Sequence, residues 1–86
     1  MRRLDKHHII KKYPNRRLYD TQTSTYITLA DVKQMVLAHD TFRVVDAKTN
    51  DDLTRSIMLQ IILEEENEGV SLFTTEMLAQ IIRSYG

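Results

Sequence analysis

KKYPNRRLYDTQTSTYITLADV, residues 11–32, decides the fold, because three local signals follow one another within it. Pro14-Asn15 is a turn pair: proline fixes φ, and asparagine tolerates backbone angles that other side chains resist. Next, Arg16 to Asp20 and Thr25 to Thr28 flank the polar tetrapeptide Thr21-Gln22-Thr23-Ser24. Tyr19, Thr21, Thr25, Tyr26, Ile27 and Thr28 are strand-prone types, so the spacing predicts an antiparallel hairpin with its tip at residues 21–24. Leu18 and Ile27 are expected on its core face. Thr28 with Asp31 three positions on is a helix start, the threonine as N-cap and the acid returning the bond.

Outward from that stretch the pattern continues. Upstream, His8 to Tyr13 mixes basic residues with β-branched Ile9 and Ile10 and reads as a short strand. Downstream, Leu29, Val32, Met35 and Val36 recur at helical spacing, with an end expected near His39-Asp40. Phe42 to Asp46 reads as a strand, Lys48-Thr49-Asn50-Asp51 as a turn, and Leu53 sits on a short return strand. Thr54 is expected to cap a second helix through Ile57–Leu63, with Gly69 as its stop. That helix is apolar on nearly every side, and a helix of this kind must be covered on every side. Thr74 or Thr75 opens a third helix, which carries Met77, Leu78, Ile81, Ile82 and Tyr85. The expected architecture is a small α+β domain with N-terminal hairpins and about three helices, the last two apolar and forming a dimer interface.

Composition narrows the function. At 86 residues the chain is one domain near the lower end of what a single core can support. It has no cysteine, which excludes disulfides, thiol chemistry and cysteine-type zinc sites. No apolar run reaches the roughly 18 residues of a membrane helix, and no signal peptide is evident, so a cytoplasmic location is expected. Net charge is zero, yet residues 1–17 hold seven of the 12 Lys and Arg against one acid, Asp5. A division of this kind points to a polyanion partner for the basic end, or to attraction between the two ends.

Enzyme chemistry finds no footing. His7-His8 lack a third ligand at useful spacing, and neighbours on a strand face opposite ways. Glu64-Glu65-Glu66 is a run in which successive side chains splay around the helix. The only glycines, Gly69 and Gly86, cannot build a phosphate loop. No metal and no cofactor are expected. The basic stretch differs in kind. Lys11, Lys12, Arg16 and Arg17 flank the proline turn, interleaved with Tyr13, Tyr19 and Tyr26 and followed by Gln22, Thr23 and Ser24. Lysine and arginine neutralise phosphates, arginine reads guanine, and asparagine or glutamine reads adenine. Composition leaves two readings open: a nucleic-acid contact, or a solvated hairpin whose tyrosines pack on the core. Asp20 is expected to pair with an arginine or cap a turn. Arg16 and Arg17, if on a strand, point to opposite faces.

The string KKYPNRRLYDT, then Ser24, TYITLADV and VVDAKTNDDLT, resembles the N-terminal DNA-binding domain of the polyhydroxyalkanoate synthesis repressors, bacterial regulators of polyhydroxybutyrate accumulation. The resemblance runs from about Ile10 to about Gly69, and SLFTTEMLAQIIRSYG is similar to the segment that follows the domain. Asn50 stands where many relatives have glycine. The resemblance implies a transcriptional repressor acting on promoters of phasin and other granule genes, drawn off DNA by the growing polymer. It also implies a chain that continues past Gly86.

Together these readings assign double-stranded DNA as the partner of Lys11, Lys12, Tyr13, Asn15, Arg16, Arg17, Tyr19, Gln22, Thr23 and Ser24. Ile57, Met58, Ile61, Ile62, Met77, Leu78, Ile81 and Ile82 are expected at the interface of a homodimer or higher homo-oligomer. Residues 1–69 form the DNA-binding domain, and residues 70–86 start a regulatory or oligomerisation segment. Polymer is expected to bind the full-length protein, and no membrane is involved. The competing reading is an oligomerising module whose basic hairpin binds an acidic protein or a granule surface.

Overall fold

The computed structural model describes residues 8–69 and 71–86. His7, together with the charges Arg2, Arg3, Asp5 and Lys6, lies outside the described residues. The chain forms β1 (Ile9–Lys12), β2 (Leu18–Asp20), β3 (Thr25–Ile27), α1 (Leu29–Leu37), β4 (Arg43–Asp46), α2 (Thr54–Asn67) and α3 (Thr75–Arg83). This is the expected α+β domain with three helices. The strands make one sheet in the order β3-β2-β1-β4, antiparallel except where β1 pairs in parallel with β4.

The two turns among the first three strands fall where the sequence puts them. At Pro14-Asn15 the Tyr13 amide donates to Arg17 O at 2.9 Å and the Arg16 amide to Tyr13 O at 2.9 Å. The chain turns back by placing Arg16 in the left-handed region, with a φ of 67°. Arg16 and Arg17 therefore lie in the turn and not on β2. At the other end of β2, Asp20 is the turn cap its sequence suggested. It is only 4% exposed, and its Oδ1 accepts the Gln22 amide at 2.9 Å. Its side-chain partner is not an arginine but His8, whose Nε2 is 2.8 Å from Oδ1.

Helix α1 opens on the expected capping box: the Asp31 amide donates to Thr28 Oγ1 at 3.2 Å, and the Thr28 amide to Asp31 Oδ2 at 2.9 Å. It ends at Leu37, where His39 takes a φ of 63°. Thr54 departs from its expected role. It is the first residue of α2 rather than its cap, and its Oγ1 accepts the Val44 amide of β4 at 2.9 Å. Val44 is fully buried on an edge strand, and a buried amide without a partner costs more than an unfilled helix cap. The Thr54 amide goes instead to Asp52 Oδ1 at 2.9 Å. Asn50 adopts a φ of 65°, the left-handed conformation that asparagine or glycine supplies in such a turn.

The core lies between one face of the sheet and the first two helices. Ile10, Leu18 and Val44 from the strands and Phe42 just before β4 meet Val32 of α1 and Ile57 of α2, with Ile27, Leu29 and Ile61 packed alongside. Each fully buried aliphatic side chain stabilises the fold by about 1.5–3 kcal/mol relative to exposure. Ile57, read from sequence as an interface residue, is 1% exposed and belongs to the core of its own chain. The rest of α2 keeps Met58, Leu59, Ile62 and Leu63 exposed, and no residue of α3 is buried. Gly69 closes α2 with a φ of 98°.

Candidate nucleic-acid interface

Side chains alternate across a sheet, so its two faces can be read from the register. Ile10, Asp20, Thr25 and Val44 form one row on the core side; Lys12, Leu18, Ile27 and Asp46 form another. Between them Tyr26, Tyr19, Lys11 and Val45 make a row across all four strands on the opposite face. The core described above lies wholly on the first face, leaving this second row on the side away from α1 and α2. Val45 is buried within it, while Lys11 is exposed.

Tyr13 and Arg17 join the same face from the turn. The Tyr13 and Tyr26 rings are 6.5 Å apart, and Tyr19 meets Tyr26 edge-on at 5.1 Å. The Arg17 guanidinium stands over the Tyr26 ring, 4.1 Å from its centroid, which is cation–π distance. The Arg17 backbone is fixed as well: its amide donates to Asn15 Oδ1 at 3.1 Å, and its carbonyl accepts from Tyr13. The result is an aromatic patch carrying Lys11 and Arg17. Tyr13 and Tyr19 are half-buried in it, and Tyr26 is 53% exposed.

Arg16 goes the other way. Its left-handed backbone breaks the strand alternation, and with Lys12 it lines an open cleft of about 400 Å³ floored by Leu18, Leu29 and Ile57 and bordered by Gln60. Cations thus stand on both sides of the Pro14-Asn15 turn: Lys11 and Arg17 on the tyrosine face, Lys12 and Arg16 toward the helices. Lys48 adds an exposed cation at the same end of the sheet. There Lys12 pairs with Asp46, and the Ala47 amide donates to Lys12 O at 2.9 Å.

The structure does not bring all the expected residues together. Gln22, Thr23 and Ser24 are exposed, but they form the turn at the far end of β2 from Arg16 and Arg17. They are locally engaged, since Thr23 Oγ1 and Thr25 Oγ1 share a hydrogen bond at 2.7 Å and the Ser24 amide donates to Asp20 O at 2.8 Å. Two residues that the sequence reading left out of the candidate site stand at it: Tyr26, read from sequence as packing, on the aromatic patch, and Lys48, placed by a pairing no local pattern announces. Among the described residues no group of three or more His, Cys, Asp or Glu side chains is arranged to hold a metal ion. None of the described helices is long and apolar enough to cross a membrane.

Comparison with known proteins adds to this geometry. The family model of the PHB/PHA accumulation regulator DNA-binding domain matches residues 9–69, the span that contains the sheet, α1 and α2. An uncharacterized protein of Allochromatium vinosum is 64% identical over 78 residues, covering 91% of this chain and 51% of that protein. A Thiocystis violacea protein described as an uncharacterized protein in the phbA 5′ region is also 64% identical over 78 residues, covering 91% of this chain and 56% of that protein. The chain therefore spans about half the length of the curated relatives it matches. No solved structure matches it.

Proposed function

This chain belongs to the PHB/PHA accumulation regulator DNA-binding domain family, and on that premise we propose that it reads the operator for a transcriptional repressor of polyhydroxyalkanoate storage genes, phasin genes among them. The observation that carries the proposal is the pair of cationic flanks on the Pro14-Asn15 turn. A major groove is walled by phosphates on both sides and is wide enough for a two-stranded ribbon. A turn entering it meets phosphate on each flank: Lys12 and Arg16 face one wall, Lys11 the other, and Arg17 and Asn15 reach base edges. Gln22, Thr23 and Ser24, at the opposite end of the sheet, fall outside this footprint.

Two further elements complete the proposal. The exposed apolar side chains Met58 and Ile62 of α2, and Met77, Leu78, Ile81 and Ile82 of α3, are the surface on which a second copy packs. A two-fold pair of turns then meets a pseudo-palindromic site. Release by polymer, with association of the repressor with cytoplasmic granules, is assigned to the regions that lie beyond this chain's span in its longer relatives. The Thiocystis relative's position in the phbA 5′ region fits a regulator of these genes.

The test is a fluorescence-anisotropy titration against storage-gene promoter fragments and random duplex at equal salt, with a mass measurement in solution. Preference for the promoter and a two-fold mass support the reading. Equal affinity for random duplex overturns it in favour of a module that binds an acidic protein or granule surface.

A further inference from the structure

Tyr26 lies on β3, beyond the basic run and its turn, yet it is the residue on which Arg17 rests. The guanidinium lies 4.1 Å from the ring centroid. The ring in turn is set edge-on against Tyr19 at 5.1 Å and lies 6.5 Å from Tyr13. The Arg17 amide is held by Asn15 and its carbonyl by the Tyr13 amide. Backbone and head group of this one arginine are both restrained, on a side chain that otherwise has many rotamers to lose on binding. A phosphate contact gains little from such restraint, because a cation anywhere near the anionic wall is effective. Reading a base edge gains a great deal, because the arginine fork must meet guanine O6 and N7 together.

We infer that Tyr26 is a specificity-determining positioning residue, which holds the Arg17 guanidinium in place to read one guanine of the operator. The inference rests on the proposed DNA reading and extends it to a residue outside the basic run. The ring face does the positioning, so the Tyr26 hydroxyl is dispensable. Leucine, apolar but without a π face, does not substitute.

The experiment uses the 86-residue chain and a set of promoter duplexes in which each base pair is replaced in turn, titrated at fixed salt together with random duplex. Arg17→Ala identifies the guanine whose preference it abolishes, roughly 5- to 150-fold for a bidentate base contact. Tyr26→Leu is expected to reduce the preference at that same base pair at least about threefold, as befits a cation–π contact. Its affinity for random duplex and its salt slope should match the parent. Tyr26→Phe is expected to retain the full preference. Replacing Tyr26 with 3,4,5-trifluorophenylalanine, which keeps the ring shape and weakens its negative face, should lose part of it even if the leucine variant does not fold.

If Arg17→Ala loses a guanine preference that Tyr26→Leu and the fluorinated ring both keep, the inference is overturned while the DNA reading stands. Weakening by Tyr26→Leu of operator and random duplex alike, with the trifluoro ring equal to Tyr26→Phe, reduces Tyr26 to packing and also overturns it. If Arg17→Ala leaves every base preference intact, Arg17 reads no base and the inference falls with that part of the DNA reading.

Discussion

His8 Nε2 lies 2.8 Å from Asp20 Oδ1, tying the start of the chain's first strand to a buried carboxylate that also caps the β2–β3 turn. Burial pushes the Asp20 carboxyl up, but the Gln22 amide, the His8 hydrogen bond and charge and the Thr23 amide together outweigh it and hold the group below its ordinary value. A carboxylate whose folded pKa is depressed contributes stability above its unfolded pKa and loses it as pH falls through the folded value. Urea titrations across the acid range should therefore show parent stability falling below about pH 4. Asp20→Asn keeps an acceptor for the Gln22 amide and should flatten that limb. Asp20→Ala strands both partners and should cost about 1–3 kcal/mol at neutral pH.

The capping box at the head of α1 makes a second expectation. Thr28→Ala removes the acceptor of the Asp31 amide and should cost about 1 kcal/mol, within a range of roughly 0.5–2. Thr28→Ser, which preserves the oxygen, should stay close to the parent. The check is the urea midpoint at unchanged m-value. A loss below about 0.3 kcal/mol for Thr28→Ala would mean the bond contributes little.

Asn50 sits at a φ of 65°, and its amide donates to Asp46 O at 2.9 Å. The side chain of Asp46 takes the amides of Thr49 and Lys48 as well, and those bonds hold its carboxyl below the usual value. Asn50→Gly should be tolerated, because glycine enters the left-handed region without steric cost. Asn50→Val should lower stability by about 1–2 kcal/mol, the cost of forcing a side chain into that region. Thermal melts of the two variants decide the matter, and equal melting would show that the turn adopts another conformation in solution.

Lys11 and Arg16 are proposed to meet phosphates on opposite sides of the inserted turn. Lys11→Ala and Arg16→Ala should each weaken promoter and random duplex by the same factor. Each should also lower the salt slope by about 1, as expected for one lost phosphate contact. Anisotropy titrations over a salt series read both effects. A change in base preference in either variant would move that residue from the phosphate wall to the base edges.

The locally encoded parts of this fold were legible because each signal lies within a few residues. Thr28 and Asp31 announce α1, Pro14-Asn15 and the tetrapeptide 21–24 announce the turns, and the pair Thr74-Thr75 announces α3, with Thr74 the one that caps the Met77 amide at 3.1 Å. What stayed hidden depends on contacts between distant residues. Nothing in Ile9-Ile10 says that β4 will lie beside it in parallel, with Ile10 opposite Val44. That pairing in turn gave the Thr54 hydroxyl to the Val44 amide and brought Lys48 to the basic end. Arg16 and Arg17 were read as strand neighbours. Their real divergence comes from one left-handed backbone angle, invisible in the residue type. Tyr26 meets Arg17 only because the β2–β3 register sets Tyr26 beside Tyr19.

The parallel pairing of β1 with β4 also imposes an order of assembly. β1 sits inside the sheet, with β2 on one side and β4 on the other. Its bonds to β2 span a short turn, whereas those to β4 close only after the whole of β3 and α1 has been made, a longer loop with a larger entropic cost. During synthesis the three N-terminal strands can align while one edge of β1 stays open, and an open strand edge invites pairing with another chain. The earliest of the four strands in the sequence is thus among the last to be sealed. The tyrosine-lined surface is written in the opening third of the sequence, but its row across the sheet is completed only when Val45 of β4 arrives beside Lys11.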